Sequence, residues 1–357
     1  MIINRRAGAV TAAALACVIA IAGCANGELP RADPTSSVPT ATARPSPPVV
    51  TAAPSPTPEH TATPGLRPTV VVQQNPRWAL DRIDQRQLPF DRRYLSQGQG
   101  EGVTVYVVDG LFDTTNAEFG GRATVGLDLG QPCVLEDGLN HGMFVAGLVG
   151  GRRTGVAKKA KIIVVGSSYG CEGSEMASPK RMIKRVVRAV DWVAENAHKP
   201  AVVNLSLNTD GDQPELVAAV DRLVDAGLTV VGSAGNGGEN ACGHAPAGLP
   251  SVITVTGSTK TDRDAGLNYG RCVDLYAPAS GVTSVVGPEI SPNRLARSDQ
   301  AATSWAAPIA SGVTALYLSA HPNASPQQVR SWMIENASTG VIRGDRHGTP
   351  NRLLYSR

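Results

Sequence analysis

Beyond residue 77 the chain is punctuated by short, almost continuous apolar runs. Residues 102–108, 161–166, 201–207, 228–233 and 251–257 read as strands. They do not alternate apolar with polar, so they suit parallel strands covered on both faces. Between them the period changes. Ile183, Val187, Val190 and Ala194 recur at helical spacing within 179–198, as do Leu216, Val220, Leu223 and Val224 within 214–226. Gly227 stands where a left-handed glycine would end the second helix. Ser325-Pro326-Gln327-Gln328 has the form of a capping box with proline at the first helical position. Strand and helix alternate to the end of the chain with no internal repeat. The pattern predicts an α/β domain, doubly wound around a mostly parallel sheet with helices on both faces.

The first 76 residues follow another rule. Arg5 and Arg6 precede an apolar run over 9–22, which is too short for a membrane span and ends in small residues, as a signal segment does. Ile21-Ala22-Gly23-Cys24 resembles a bacterial lipobox, which makes Cys24 the expected site of lipidation. Residues 30–76 hold 12 Pro, 8 Thr and 4 Ser, a composition that cannot offset chain entropy by burying apolar surface. The expected organisation is a signal peptide at 1–23, a lipidated cysteine with an extended stalk at 24–76, and a folded domain at 77–357. That arrangement places the domain at the cell membrane, anchored by lipid on the extracellular face. No later stretch offers 18 uninterrupted apolar residues.

Composition narrows the partners. The net charge of +3 includes the two arginines of the leader, so no basic stripe is left and nucleic acid is not an expected partner. Hydrophobic residues make up 42 % of the chain and aromatics only 4 %, which requires a core of Val, Ala, Leu and Ile.

The chemistry gathers at the predicted strand ends, where open α/β sheets place their reactive groups. Asp109 ends the run 102–108. His141 opens a helix of small residues. Ser304 lies at the mouth of an Ala- and Gly-rich helix continuing to about residue 320, and Asn236 follows Ala234-Gly235 at another strand end. Singly, each is an ordinary cap or turn residue. Together they supply a hydroxyl nucleophile, an imidazole to take its proton and a carboxylate to orient the imidazole. They also supply an amide that can donate to an oxyanion.

The order Asp, His, Asn, Ser resembles that of the subtilisin-like serine proteases. The likeness is carried by Val107-Val108-Asp109, His141-Gly142, Gly155-Val156-Ala157, Leu205-Ser206-Leu207, Ala234-Gly235-Asn236 and Thr303-Ser304. The ending at 348–355, Gly-Thr-Pro-Asn-Arg-Leu-Leu-Tyr, is similar to the proteinase K and aqualysin branch. The resemblance implies a subtilisin-like fold and a serine endopeptidase acting on protein or peptide substrates without a catalytic cofactor. Asp109, His141 and Ser304 would be catalytic, Asn236 the oxyanion donor, and Ser206, Leu207, Asn208, Ala234 and Gly235 the substrate-binding walls. The four cysteines of the folded part allow three pairings. Resemblance to aqualysin-like enzymes selects Cys133–Cys171 and Cys242–Cys272. It also places a structural calcium ion at Asp274 with the carbonyls of Pro250 and Val252.

The family's usual pattern is altered at Gly110-Leu111, at Met143-Phe144, at Asn208 and at Ala302, all beside the reactive groups. An inhibitory pro-domain has no room between the stalk and the domain. Two readings follow from these residues: an active, membrane-anchored endopeptidase, or the same fold kept as a catalytically impaired surface binding or scaffold module.

Overall fold

The computed structural model describes residues 70–130, 139–167, 179–211, 213–287, 294–344 and 348–357. The first elements are β1 (Val70–Gln74), α1 (Trp78–Ile83), β2 (Arg93–Gln97), β3 (Thr104–Asp109), β4 (Ala123–Asp128) and α2 (His141–Gly150). There follow β5 (Lys161–Gly166), α3 (Pro179–Asn196), β6 (Ala201–Leu205), α4 (Pro214–Asp225), β7 (Thr229–Ser233) and β8 (Ile253–Ser258). The chain continues through β9 (Leu275–Pro278), β10 (Thr283–Val285), β11 (Leu295–Arg297), α5 (Thr303–Ala320) and α6 (Pro326–Asn336), and then β12 (Ser338–Thr339) and β13 (Arg352–Leu353).

Nine strands form one sheet in the order β12-β13-β9-β8-β7-β6-β3-β5-β4. Every pair in it is parallel except β12 with β13 at one edge. The sheet buries side chains on both faces, which is why its strands lack alternation. Along β3, Val105 and Val107 enter one apolar cluster with α2 and α5, while Tyr106 and Val108 enter a second with α3 and α4. The doubly wound α/β architecture expected from the pattern is present.

The helices differ by position. All but the first residue of α2 are buried, and α5 is nearly as enclosed, so both consist of small and apolar residues packed against the sheet. By contrast α3 turns Val186, Val190 and Val193 inward and carries its cationic residues on the opposite side. Gly227 has φ of +78° one residue past the C-cap of α4, and the Ser325–Gln328 capping box is formed in full.

One boundary needs correction. Val70–Gln74 falls within the segment 24–76 expected to be a stalk, yet it pairs antiparallel with Arg93–Gln97. Gln73 Nε2 also donates to the carbonyl of Arg153 at 3.1 Å. Three consecutive valines favour a strand, and Pro68 and Pro76 flank the ladder without interrupting it. Proline density had masked this short run. A second difference is functional: the apolar run 201–207 leaves the ladder after Leu205, so Ser206–Asn208 are free to line a cleft. No helix among the described residues is long and apolar enough to cross a membrane. Cys24, Cys133 and Cys171 lie outside the described residues.

Candidate active site

The strand order reverses beside β3, whose neighbours are β5 on one side and β6 on the other. In open parallel sheets the crevice at such a reversal, at the carboxyl ends of the strands, is the natural ligand site. Asp109 is the last residue of β3. His141 is the first residue of α2, placed there by Asn140, which accepts from the amide of Met143 at 2.9 Å and donates to Leu111 O at 3.0 Å. This N-cap fixes where the helix begins and therefore where the imidazole points. Gly142 is required by closeness: a Cβ there would run into the carbonyl of Gly110.

His141 Nδ1 lies 2.8 Å and 2.9 Å from the two oxygens of Asp109, whose Oδ1 also accepts from the Gly110 amide at 2.7 Å. Asp109 is 5 % exposed. Burial pushes the imidazole pKa down, but the charge of Asp109 and the hydrogen bond to it together prevail, so His141 titrates above its ordinary value. Since Nδ1 faces a carboxylate, it carries a proton, and Nε2 is the nitrogen left to act as base in the neutral ring.

Ser304 occupies the second position of α5 and shares one cleft with His141. Its hydroxyl donates to Ser206 O at 3.3 Å, so in this state the proton is not yet on the line to the imidazole. Pro308 explains the local backbone. Four residues on from Ser304, it has no N–H to offer the Ser304 carbonyl. The Ser206 hydroxyl donates to that carbonyl instead, at 3.1 Å. Behind Ser206, the fully buried Asn204 donates to its Oγ at 2.9 Å and accepts from Ser311 at 2.9 Å. A polar chain thus ties β6, the cleft wall and α5 together.

Asn236 extends from the loop after β7. Its Oδ1 accepts from the Thr303 amide at 2.8 Å and the Thr303 hydroxyl at 2.9 Å. A backbone N–H can only donate, so the amide is oriented with oxygen toward Thr303 and its NH₂ group toward the exposed side. Beside it stands the first turn of α5, where backbone N–H groups lack helical partners and favour negative charge. The loop is braced by Asn268, which donates to Ala234 O at 3.0 Å and accepts from the Glu239 amide at 3.1 Å.

All the residues expected to act together on chemical grounds are brought together here. Ser206, Leu207 and Asn208 form one wall, Gly235 and Asn236 the other, and Ala234 is buried behind the second. The altered neighbours are accommodated by packing. Phe144 is fully buried with its ring 4.4 Å from that of Trp305, and Trp305 in turn lies 5.1 Å from the His141 ring. The contacts made by Asn204, Thr303, Trp305 and Asn268 are not foreshadowed by the motifs. Only Asn204 had left a signal, as the one amide within an apolar run that should be buried on both sides.

Two expectations lie off the cleft. Cys242 and Cys272 are bonded, with Cα atoms 5.5 Å apart. Asp274, assigned to calcium by resemblance, is 3 % exposed, and its two oxygens meet Arg330 at 2.5 Å and 3.2 Å and the Thr254 amide at 3.0 Å. A guanidinium already supplies the positive charge there, so the set Asp274, Pro250 and Val252 does not fit a calcium ion in this arrangement.

Known proteins agree with the geometry. A family model described as the subtilase family matches residues 100–353. The chain is 39 % identical over 286 residues to the alkaline serine exoprotease A of Vibrio alginolyticus, covering 80 % of this chain and 51 % of that protein. It is 40 % identical over 287 residues to the extracellular serine proteinase of Thermus sp. (strain Rt41A), covering 80 % and 67 %. The chain therefore spans about half to two thirds of the length of these curated relatives. The crystal structure of a cold-adapted subtilisin-like serine proteinase matches with a TM-score of 0.70 at 36 % identity, covering 80 % of this chain and 99 % of that one. On fold, site and sequence alike, the chain belongs to the subtilase family.

Proposed function

We propose that the chain is a serine endopeptidase that hydrolyses peptide bonds in protein or peptide substrates, with Ser304 as nucleophile, His141 as general base and acid, and Asp109 as the carboxylate that holds the imidazole. The observation that carries this reading is the buried Asp109 bonded to His141 Nδ1 in the same cleft as Ser304 at a helix N-terminus. Rotation of the Ser304 side chain exchanges the Ser206 carbonyl for His141 Nε2 as acceptor; apo sites often tighten in this way on binding substrate. As Oγ attacks the carbonyl carbon, its proton passes to Nε2 and the carbonyl electron pair moves onto oxygen. The Asn236 amide and the Ser304 backbone N–H stabilise that oxyanion. His141 then gives the proton to the leaving amine, leaving an acyl-Ser304 ester. His141 then takes a proton from the water that attacks the ester and passes it to the departing Ser304 Oγ, which frees the acid and restores both side chains.

Two further elements of the sequence complete the proposal: Cys24 as a lipid anchor and the Pro/Thr-rich segment before Val70 as a tether, which together hold the domain on the outer face of the membrane. The ending at 348–355 supports placement near the proteinase K and aqualysin branch.

A fluorophosphonate probe with mass spectrometry tests the catalytic reading. The expected result is a single adduct on Ser304, lost in Ser304→Ala, with peptide hydrolysis abolished in parallel. An enzyme that stays unlabelled while folded favours the binding-module reading, and Ser304→Ala with undiminished turnover refutes the assignment.

A further inference from the structure

The end of α5 and the start of the next helix form a second hollow, away from the catalytic cleft. Tyr317 lies thirteen residues along α5 from Ser304, about 20 Å at 1.5 Å per residue. The helix stops at His321, and after a short turn α6 starts at Pro326. Three rings meet there. Tyr317 stacks on Trp332 at 4.4 Å, and His321, four residues on at the C-cap, lies 4.5 Å from Tyr317. None of the three is buried, and together they border a groove of about 740 Å³. Glu335, one turn beyond Trp332, is the one carboxylate side chain lining it and makes no ion pair among the described residues.

The chain itself leads to this groove. A smaller hollow shares Tyr317, His321 and Trp332 with it and is lined by Gln97 as well. Gln97 is the residue opposite Val70 in the β1–β2 ladder, and Val70 is the first residue of β1. Paired strands stand about 4.8 Å apart, so the residues before Val70 come off the ladder beside the rings. Val70 is itself 56 % exposed, one of three large apolar side chains so open to solvent among the described residues. The six residues that precede it, Pro64-Gly65-Leu66-Arg67-Pro68-Thr69, lie outside the described ones, but their chemistry matches what the groove offers. Each proline fixes its own φ near about −65° and biases the residue before it to extended backbone. Chain of that kind docks on aromatic-lined grooves with little entropy left to lose. Leu66 supplies an apolar side chain for the rings, and Arg67, the one charged residue of the six, is the complement of Glu335. Six residues at about 3.1 Å each cover roughly 19 Å, enough to pass Trp332 and draw level with Glu335 one turn further on.

We propose that residues 64–69 dock along the Tyr317–Trp332 groove, with Leu66 against the rings and Arg67 paired to Glu335. The leading chain is thereby clamped at the end of α5 remote from Ser304 and kept out of its own cleft. This goes beyond the hydrolytic reading and does not depend on it. Hydroxyl-radical footprinting read by mass spectrometry tests it on the full chain, in a Ser304→Ala background so that self-cleavage plays no part. Leu66→Ser and Arg67→Ser fall before β1 and leave the core untouched. With the segment docked, Trp332 should oxidise roughly threefold more slowly, or slower still, than in the protein carrying both substitutions. Tyr94, 1 % exposed, should stay protected in every variant and so report an intact fold. Glu335→Arg should also speed Trp332 oxidation, and Arg67→Glu added to Glu335→Arg should slow it again, because the pair is restored with its charges exchanged. Equal Trp332 oxidation in the unaltered segment and in the Leu66→Ser, Arg67→Ser protein, with Tyr94 protected in both, overturns the proposal. So does a charge-exchanged protein as reactive at Trp332 as Glu335→Arg alone. Protection of Trp332 that vanishes on dilution overturns it too, since the groove would then be filled by a second copy of the chain.

Discussion

His141 is under two opposed influences, and their balance sets a measurable pH. Burial disfavours the imidazolium, while the Asp109 charge and hydrogen bond favour it more, which leaves the pKa above the ordinary 6.5. Only the neutral ring accepts the Ser304 proton, so kcat/KM should rise with pH through a midpoint above 6.5. The pair's contribution to stability runs the other way: it is full below the unfolded pKa and is lost as pH climbs through the raised folded value. In Asp109→Asn the raising influences vanish and burial remains, so the midpoint should drop below 6.5 while kcat falls by roughly four orders of magnitude. A pH–rate profile of both proteins checks this; a wild-type midpoint below 6.5 would contradict it. The proposed roles could be read from residue type and order, because a carboxylate and an amide at strand ends, taken together with an imidazole and a hydroxyl at helix starts, have few other reasons to occur in that combination. Trp305 could not, since nothing in sequence says that its ring would meet those of His141 and Phe144.

At the level of elements, the site depends on how α2 and α5 are held against the sheet. Their small residues let both helices lie close, and Pro308 frees a carbonyl that Ser206 then takes, coupling Ser304 to the cleft wall. A different tether fixes α6: Arg330 reaches Asp274, next to β9, whose carboxyl burial pushes up in pKa despite that partner. Arg330→Ala would leave a buried carboxylate without its cation. Because Arg330 is about one-third exposed and partly screened by solvent, the cost should be about 1–3 kcal/mol, below that of a fully buried pair. Without the guanidinium the Asp274 pKa rises further above its unfolded value, so the deficit should grow with pH and shrink on acidification. Urea midpoints of both proteins at pH 5 and pH 8 measure it. An equal deficit at both would show that Asp274 is not the group affected. Helix ends were legible in the same detail, in Gly227 and the Ser325 box, because capping is local. The ribbon Val70–Gln74 was not, since its partner residues lie 19 to 27 positions away and its flanking prolines suit a tether.

For the molecule as a whole, the anchoring proposal makes its own prediction. If Cys24 carries a diacylglyceryl group, two acyl chains suffice for stable attachment where one is marginal. Cys24→Ser should therefore move the protein from the membrane pellet to the soluble fraction or leave its leader uncleaved, with the specific activity of the domain retained. Mass spectrometry of the detergent-extracted protein reads the lipid directly, and an unmodified Cys24 there would refute the anchor without touching the hydrolytic reading.

Sequence alone determined what depends on neighbours along the chain: strand runs without alternation, helix periods, caps, and the residue types able to perform acyl transfer. Those are local properties, fixed by backbone preference and side-chain chemistry. Tertiary structure decided what depends on approach across the sheet. It set the strand reversal that makes the cleft, the orientation of the Asn236 amide by Thr303, and the buried Asn204 relay. It placed Arg330 where the family pattern had suggested calcium.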